Sequence, residues 1–176
     1  RGLKGGISFL VVVLPAAIFI HLFNASNLAT ILAVNGADWL QSMELTGTKL
    51  IIAFICLTTV INLFISSGSA KWLILAPIFV PMLGMIGFSP ALTQAAYRVG
   101  DSVTNNIAPL SYYVPVMIDF YEQYKSDPNQ EVGIGTLISL QLPFSILYLI
   151  FFTALLVFWY TMGWPLGPGA DLFITM

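Results

Sequence analysis

The sequence predicts an all-α integral membrane protein in which transmembrane helices are joined by a re-entrant helical hairpin and a discontinuous helix. Three observations carry that expectation. The first is composition: 58% of the 176 residues are hydrophobic, 8% are charged and mean hydropathy is +0.90. A soluble domain carries about 25% charged residues, and six basic and eight acidic side chains cannot cover a surface of this size. The second is the spacing of apolar runs between clusters of Gly, Ser, Asn and Pro. The third is the pair Arg98 and Asp101, set between uncharged stretches at Trp72–Tyr97 and Ser102–Ile118. A net charge of −2 excludes a basic nucleic-acid footprint. The one cysteine, Cys56, allows no intrachain disulfide and is expected to be a small core residue.

Residues 7–23 form an apolar run of about spanning length with Pro15 inside it. Arg1 and Lys4 at its start favour a cytoplasmic N-terminal side, and His21 reads as an interfacial polar residue. The chain opens on an arginine without an initiator methionine, which reads as a piece cut from something longer. Asn24–Asn27 interrupts the run, and its Asn and Ser residues suit the N-cap of a short helix over 28–40. Asn35–Thr48 has the polarity of an exposed loop.

The segment 50–87 reads as the re-entrant hairpin. Two short apolar arms, Leu50–Ile65 and Leu73–Gly87, flank the small polar tip SSGSAKW at Ser66–Trp72. Non-helical backbone at membrane depth is tolerated where protein buries it or where it lines a wet cavity. Asn62 inside the first arm needs a polar partner and favours the hairpin; the alternative is an ordinary two-span connection with the tip outside the membrane. Ser89 and Pro90 fit an N-cap and first helical position, opening a broken helix over 91–121. Its first half, Ala91 to about Ile107, carries Gln94, Arg98, Asp101 and Asn105 at spacings that make one polar stripe. NNIAPLSYYVP then interrupts it, Pro109 and Pro115 each removing a backbone donor; the alternative is a simple proline kink. The acidic loop Asp119–Glu131 precedes the clearest span, 135–160, which ends in the aromatic belt Trp159, Tyr160 and Trp164. The tail that follows has turn composition and reads as a true C-terminus.

Charge inside hydrocarbon costs roughly 2.5–3.5 kcal/mol per residue, so Arg98 and Asp101 mark a pathway for ions or substrate, or else a clasp between helices. Arg98 cannot usefully release its proton, which leaves it to hold Asp101 or to pair a substrate carboxylate bidentately. Asp101 can exchange a proton or cation and is the expected coupling residue. Asn62, Ser67, Ser69, Thr104 and Asn105 are the neutral oxygen donors nearest the two breaks, and are expected to face a coupling ion or substrate. No His/Cys/acid spacing suits a transition-metal site, and no nucleotide-binding loop is present. A membrane hydrolase with Ser67 or Ser69 as nucleophile and Lys71 as base is the weakest reading, since it needs an oxyanion hole as well.

SSGSAKW (Ser66–Trp72), APIFVPMLG (Ala76–Gly84), SPALTQAAYRVGDSVTN (Ser89–Asn105), GIGTLISLQLP (Gly133–Pro143) and PLGPGA (Pro165–Ala170) closely resemble the p-aminobenzoyl-glutamate transporter (AbgT) family, as does SNLATILAVNGADWL (Ser26–Leu40). The resemblance implies a multi-pass secondary transporter of the bacterial inner membrane, built from inverted repeats and assembled as a homodimer. It implies transport of p-aminobenzoyl-glutamate or of related aromatic amides such as sulfonamides, driven by Na⁺ or H⁺, with no cofactor and no enzymatic activity. The positions matching the family's functional residues are Trp72, Pro90, Arg98, Asp101 and Pro109, while Asn62 and the hairpin serines match its ion-site region. Asn106, and SYYVPV after Pro109, depart from the family pattern. On this reading residues 1–176 form the C-terminal part of one membrane domain and work only with the missing N-terminal part. The other reading is a non-transporting membrane scaffold, or the remnant of a truncated transporter gene.

Overall fold

The computed structural model describes residues 42–64, 68–109, 111, 113–127 and 130–174, together with isolated positions between Ile18 and Leu40. Most of the expected span 7–23 and of the short helix 28–40 lies outside the described residues, as do Ser66 and Ser67. The described part is helical: α1 is Gly47–Phe64, α2 Gly68–Gly84, α3 Pro90–Val103, α4 Val114–Tyr124 and α5 Ile134–Thr161.

Helix α5 has 28 residues, about 42 Å of rise against a hydrocarbon core of about 30 Å. Only Leu137, Ser145 and Leu156 on it are buried, and Phe144, Leu147, Ile150 and Phe158 point outward. Apolar all round and of that length, the helix is long and apolar enough to cross a membrane. Helix α1, at 18 residues, is also long and apolar enough to cross a membrane. It satisfies its own hydroxyls: Thr58 Oγ1 donates to the carbonyls of Phe54 and Ile55 at 3.0 and 2.9 Å, and Thr59 Oγ1 to Ile55 O at 2.8 Å.

Four boundaries differ from the sequence expectation. The expected loop Asn35–Thr48 is helical at Asn35, at Asp38–Leu40 and at Ser42, and turns only at 43–46. The expected tip shortens, because Gly68, Ser69 and Lys71 already belong to the first turn of α2. There the local preference of a Gly/Ser pair for turns yields to the apolar run that follows. The first arm is a full 18-residue helix, longer than its apolar core suggested. The helix opened by Pro90 ends at Val103, four residues before the expected Ile107. Cys56 corrects the expectation of a core residue: it is exposed, on the outer side of α1 with Ile52 and Val60. In a chain whose outward surface is apolar, an apolar cysteine has no reason to be inside.

The described chain divides into two compact units. One takes Arg1–Leu50, Gly68–Gln94 and Gly163–Met176, the other Ile51–Ser67 and Ala95–Met162. In the first unit, α2 keeps Pro77 and Pro81 within its 17 residues and closes through a turn with Gly87 at φ 98°, which a residue with a Cβ resists. The tail then folds back onto this turn. Ser89 N–H donates to Leu172 O at 3.0 Å and Ile174 N–H to Gly87 O at 3.1 Å, with Leu172 buried beneath. Ser89 Oγ accepts the Leu92 N–H at 3.1 Å, the N-cap bond that starts α3. In the second unit α4 lies against α5, tied by Gln141 Nε2 donating to the Tyr121 hydroxyl at 2.8 Å.

Candidate functional site

The second unit holds a junction between α1 and the end of α3. Because α3 stops at Val103, the Asp101 carbonyl has no helical N–H four residues on; Asn105 N–H turns to Ser102 O instead, at 3.4 Å. The missing donor comes from another helix. Asn62, fully buried on α1, brings Nδ2 to 2.6 Å from Asp101 O, 2.9 Å from Thr104 Oγ1 and 3.0 Å from Asn105 Oδ1. Thr104 Oγ1 in turn donates to Thr59 O at 3.4 Å. An amide NH₂ has two hydrogens, so three oxygens converge on a point that can serve two of them fully. All of them gather at the negative end of the α3 dipole, which attracts positive charge.

Beside this junction the Arg98 guanidinium and the Asp101 carboxylate make one contact, at 3.4 Å. Their side chains are 53% and 7% exposed, so the acid is held inside and the base reaches outward. The guanidinium also lies 5.8 Å from the centre of the Tyr97 ring, within cation–π range, and Tyr97 itself is fully buried. One long contact leaves most of the five guanidinium donors available to a second, bidentate anion. The expected polar stripe holds as a pattern but not as one environment: Gln94, Arg98 and Asn105 are exposed, while Asp101 is buried.

Of the residues singled out by sequence, Asn62, Asp101, Thr104 and Asn105 come together, with Arg98 attached through Asp101. Pro109 lies exposed in the turns after α3, in the same unit. Ser69 and Trp72 sit in the first turns of α2, exposed and half-buried, in the other unit. Pro90 is there too, lining a cleft of about 400 Å³ with Ser89, Asp171 and Phe173. Ser67 lies outside the described residues. Among the described residues no group of three or more His, Cys, Asp or Glu is placed to hold a metal. Sequence reasoning passed over Tyr97 and Gly100, and weighed Lys71 only as the base of a hydrolase. Lys71 is 1% exposed, a buried cation that its apolar neighbours could have signalled. Gly100 could have been noticed as the smallest residue between Arg98 and Asp101.

With this geometry in view, the relatives are informative. A sequence model of the AbgT transporter family matches residues 3–174. The chain is 41% identical over 161 residues to the p-aminobenzoyl-glutamate transport protein of Escherichia coli K12, covering 92% of this chain and 31% of that one. Among solved structures, the YdaH transporter of Alcanivorax borkumensis, whose topology is described as unusual, superposes with a TM-score of 0.87 at 47% identity, over 94% of this chain and 34% of its own. MtrF of Neisseria gonorrhoeae, described within a class of antimetabolite efflux pumps, superposes with a TM-score of 0.79 at 45% identity, over 93% and 32%. The chain thus spans about a third of the length of each of these relatives. Matched along nearly its whole length, this chain belongs to the AbgT family of membrane transporters.

Proposed function

We propose that this chain is the C-terminal third of an ion-coupled secondary transporter, carrying p-aminobenzoyl-glutamate or related aromatic amides such as sulfonamides across the bacterial inner membrane. The observation that carries this reading is the Asn62 junction, where three oxygens meet within 3.0 Å of one point at the end of a short helix. A hard cation asks for oxygens gathered in this way. That point is the Asn62 amide nitrogen itself, so a cation would take its place as the amide swings aside and turns Oδ1 toward the cluster as a fourth oxygen. The same cluster can therefore be closed by an N–H donor when empty, or by Na⁺ when loaded.

In this reading α1 and α2 are the arms of a re-entrant hairpin and α3 and α4 the halves of one discontinuous helix, completed by the missing N-terminal part and by a second subunit. Trp72 and Ser69 then belong to the hairpin side of the substrate path, and Pro90 and Pro109 mark the ends of the first half-helix. Asp101 carries the coupling and Arg98 the electrostatics of the substrate. A substrate carboxylate that takes Arg98 by its outward donors weakens its hold on Asp101. The buried carboxylate is then left to the coupling ion, so cargo and ion are taken up together. Support comes from the single 3.4 Å contact between the two side chains and from the unequal burial of their ends.

The test is transport by the full-length protein in proteoliposomes, with sodium and proton gradients imposed separately in each direction. Accumulation of p-aminobenzoyl-glutamate or a sulfonamide under one gradient, and its loss when that gradient is collapsed, supports the proposal. Equal equilibration of cargo with and without gradients would overturn the coupling.

A further inference from the structure

We infer that Gly100 is a positioning residue that sets the α1–α3 separation on which the Asn62 junction depends; this rests on the ion-coupling reading above and names the residue that makes the ion site possible. Gly100 is buried, next to Asp101 and one turn before Thr104. A Cβ there would overlap Thr58 Oγ1 outright and lie 2.6 Å from the Ile55 carbonyl oxygen and 2.9 Å from Thr58 Cβ. None of these atoms can easily give way. The Ile55 oxygen is backbone, and Thr58 Oγ1 is pinned by its bonds to Phe54 O and Ile55 O. Thr58 is itself fully buried, so no free rotamer opens into solvent.

Thr58 and Asn62 are one turn apart on α1, as Gly100 on α3 and Thr104 just past its end are. The close approach at Gly100–Thr58 and the polar contacts at Asn62 are therefore successive rungs of one seam. Adding a methyl group at the lower rung parts the helices and lengthens the upper one. Of the contacts at 2.6, 2.9 and 3.0 Å, the two longer ones leave the ordinary N–H···O range of up to about 3.2 Å once the helices part by a few tenths of an ångström. The side chains that make the junction stay the same; only their distance changes.

The test is Gly100→Ala in the full-length transporter, alone and combined with Asn62→Ala or Thr58→Ala. Thermal unfolding of the Gly100/Asn62 cycle reads the spacing directly. If the methyl group breaks the Asn62 contacts, the two losses are non-additive, the second substitution costing little once the first is present. Additive losses would overturn the inference. Transport reads the purpose: the cation concentration giving half-maximal uptake, NaCl or protons as the parent requires, rises at least about tenfold in Gly100→Ala. Substrate affinity at saturating cation stays near the parent value. Thr58→Ala removes the nearest obstructing atom and leaves the Ile55 oxygen, so it moves the cation requirement part of the way back toward that of the parent. A folded Gly100→Ala with an unchanged cation requirement would show that the seam is packing alone. Where Gly100→Ala does not fold, both readings are made on Gly100→Ala/Thr58→Ala against Thr58→Ala. If the parent itself needs no cation, the coupling proposal falls, and the unfolding cycle still decides the spacing.

Discussion

Helices α3 and α5 belong to the same membrane protein and obey opposite rules. Helix α5 puts its largest apolar side chains outside and buries three of 28 residues, one of them a serine. Helix α3 is half as long and buries Thr93 and Asp101, with Thr104 just past its end, while leaving Arg98 outward. The first is apolar and longer than a bilayer's hydrocarbon core is thick; the second is shorter than any span and is held by partners. Lipid asks of a helix only that it be long and apolar. A polar helix must find, side chain by side chain, something that answers it, and the end of α3 finds Asn62 and Thr59 on α1.

The largest effect that tests this contrast is on the α3 side. Asp101→Asn is expected to abolish gradient-driven transport in proteoliposomes while equilibrium binding of substrate persists; near-normal transport would reduce Arg98 and Asp101 to a clasp. On the α5 side, Leu147→Arg places a cation on an outward position near the middle of the helix. It should cost roughly 2.5–3.5 kcal/mol of insertion, read as a fall in membrane-integrated protein. A neutral outcome would mean that protein or water, not lipid, covers that face. Asn62→Ala leaves the buried Asp101 carbonyl without its donor and should lower stability by about 1–3 kcal/mol in thermal unfolding. Arg98→Ala should change stability by less than about 1 kcal/mol, since the guanidinium is half exposed and makes one long contact. Its effect belongs to recognition: binding of an anionic substrate weakens about tenfold or more while a neutral analogue is unaffected. Equal losses for both would deny Arg98 its role with the carboxylate.

Much of α5 was legible because a run of 26 uncharged residues has one physical solution, and the helix observed at Ile134–Thr161 exceeds the expected span by one residue at each end. The start of α3 was equally readable, since Ser before Pro is a local signal that needs no tertiary knowledge. Its end was not. Val103, Thr104 and Asn105 are no worse for a helix than the residues before them, and the chain leaves the helix there in a setting of contacts from α1, 39 to 45 residues away in sequence. Asn62 was noticed because an amide in an apolar arm demands a partner, but which partner it meets is a matter of helix packing. Gly100 was missed for a related reason. A glycine inside a helical pattern is read as a mild weakness, and only the neighbour it touches reveals what it permits. The first turn of α2 shows the reverse error, local turn chemistry at Gly68–Lys71 being overruled by the helix it joins.

The arithmetic of the Asn62 amide has a further consequence. Two hydrogens shared among three oxygens can be distributed in three ways, each leaving a different oxygen without a hydrogen from Asn62. No rotation of the amide gives a hydrogen to all three, and three equal distributions would form one degenerate set. Such degeneracy is worth about 0.6 kcal/mol of entropy at most, a factor of three in an equilibrium. Its importance lies in what it avoids. A fully satisfied cap would have to be broken before anything else could enter, at the cost of several bonds at once. A cap that is always one hydrogen short can exchange its amide for an incoming cation without passing through a state in which all three oxygens are abandoned. On the ion-coupling proposal, the seam between α1 and α3 would reload with low resistance, and the shortage of one amide hydrogen would be what makes it so.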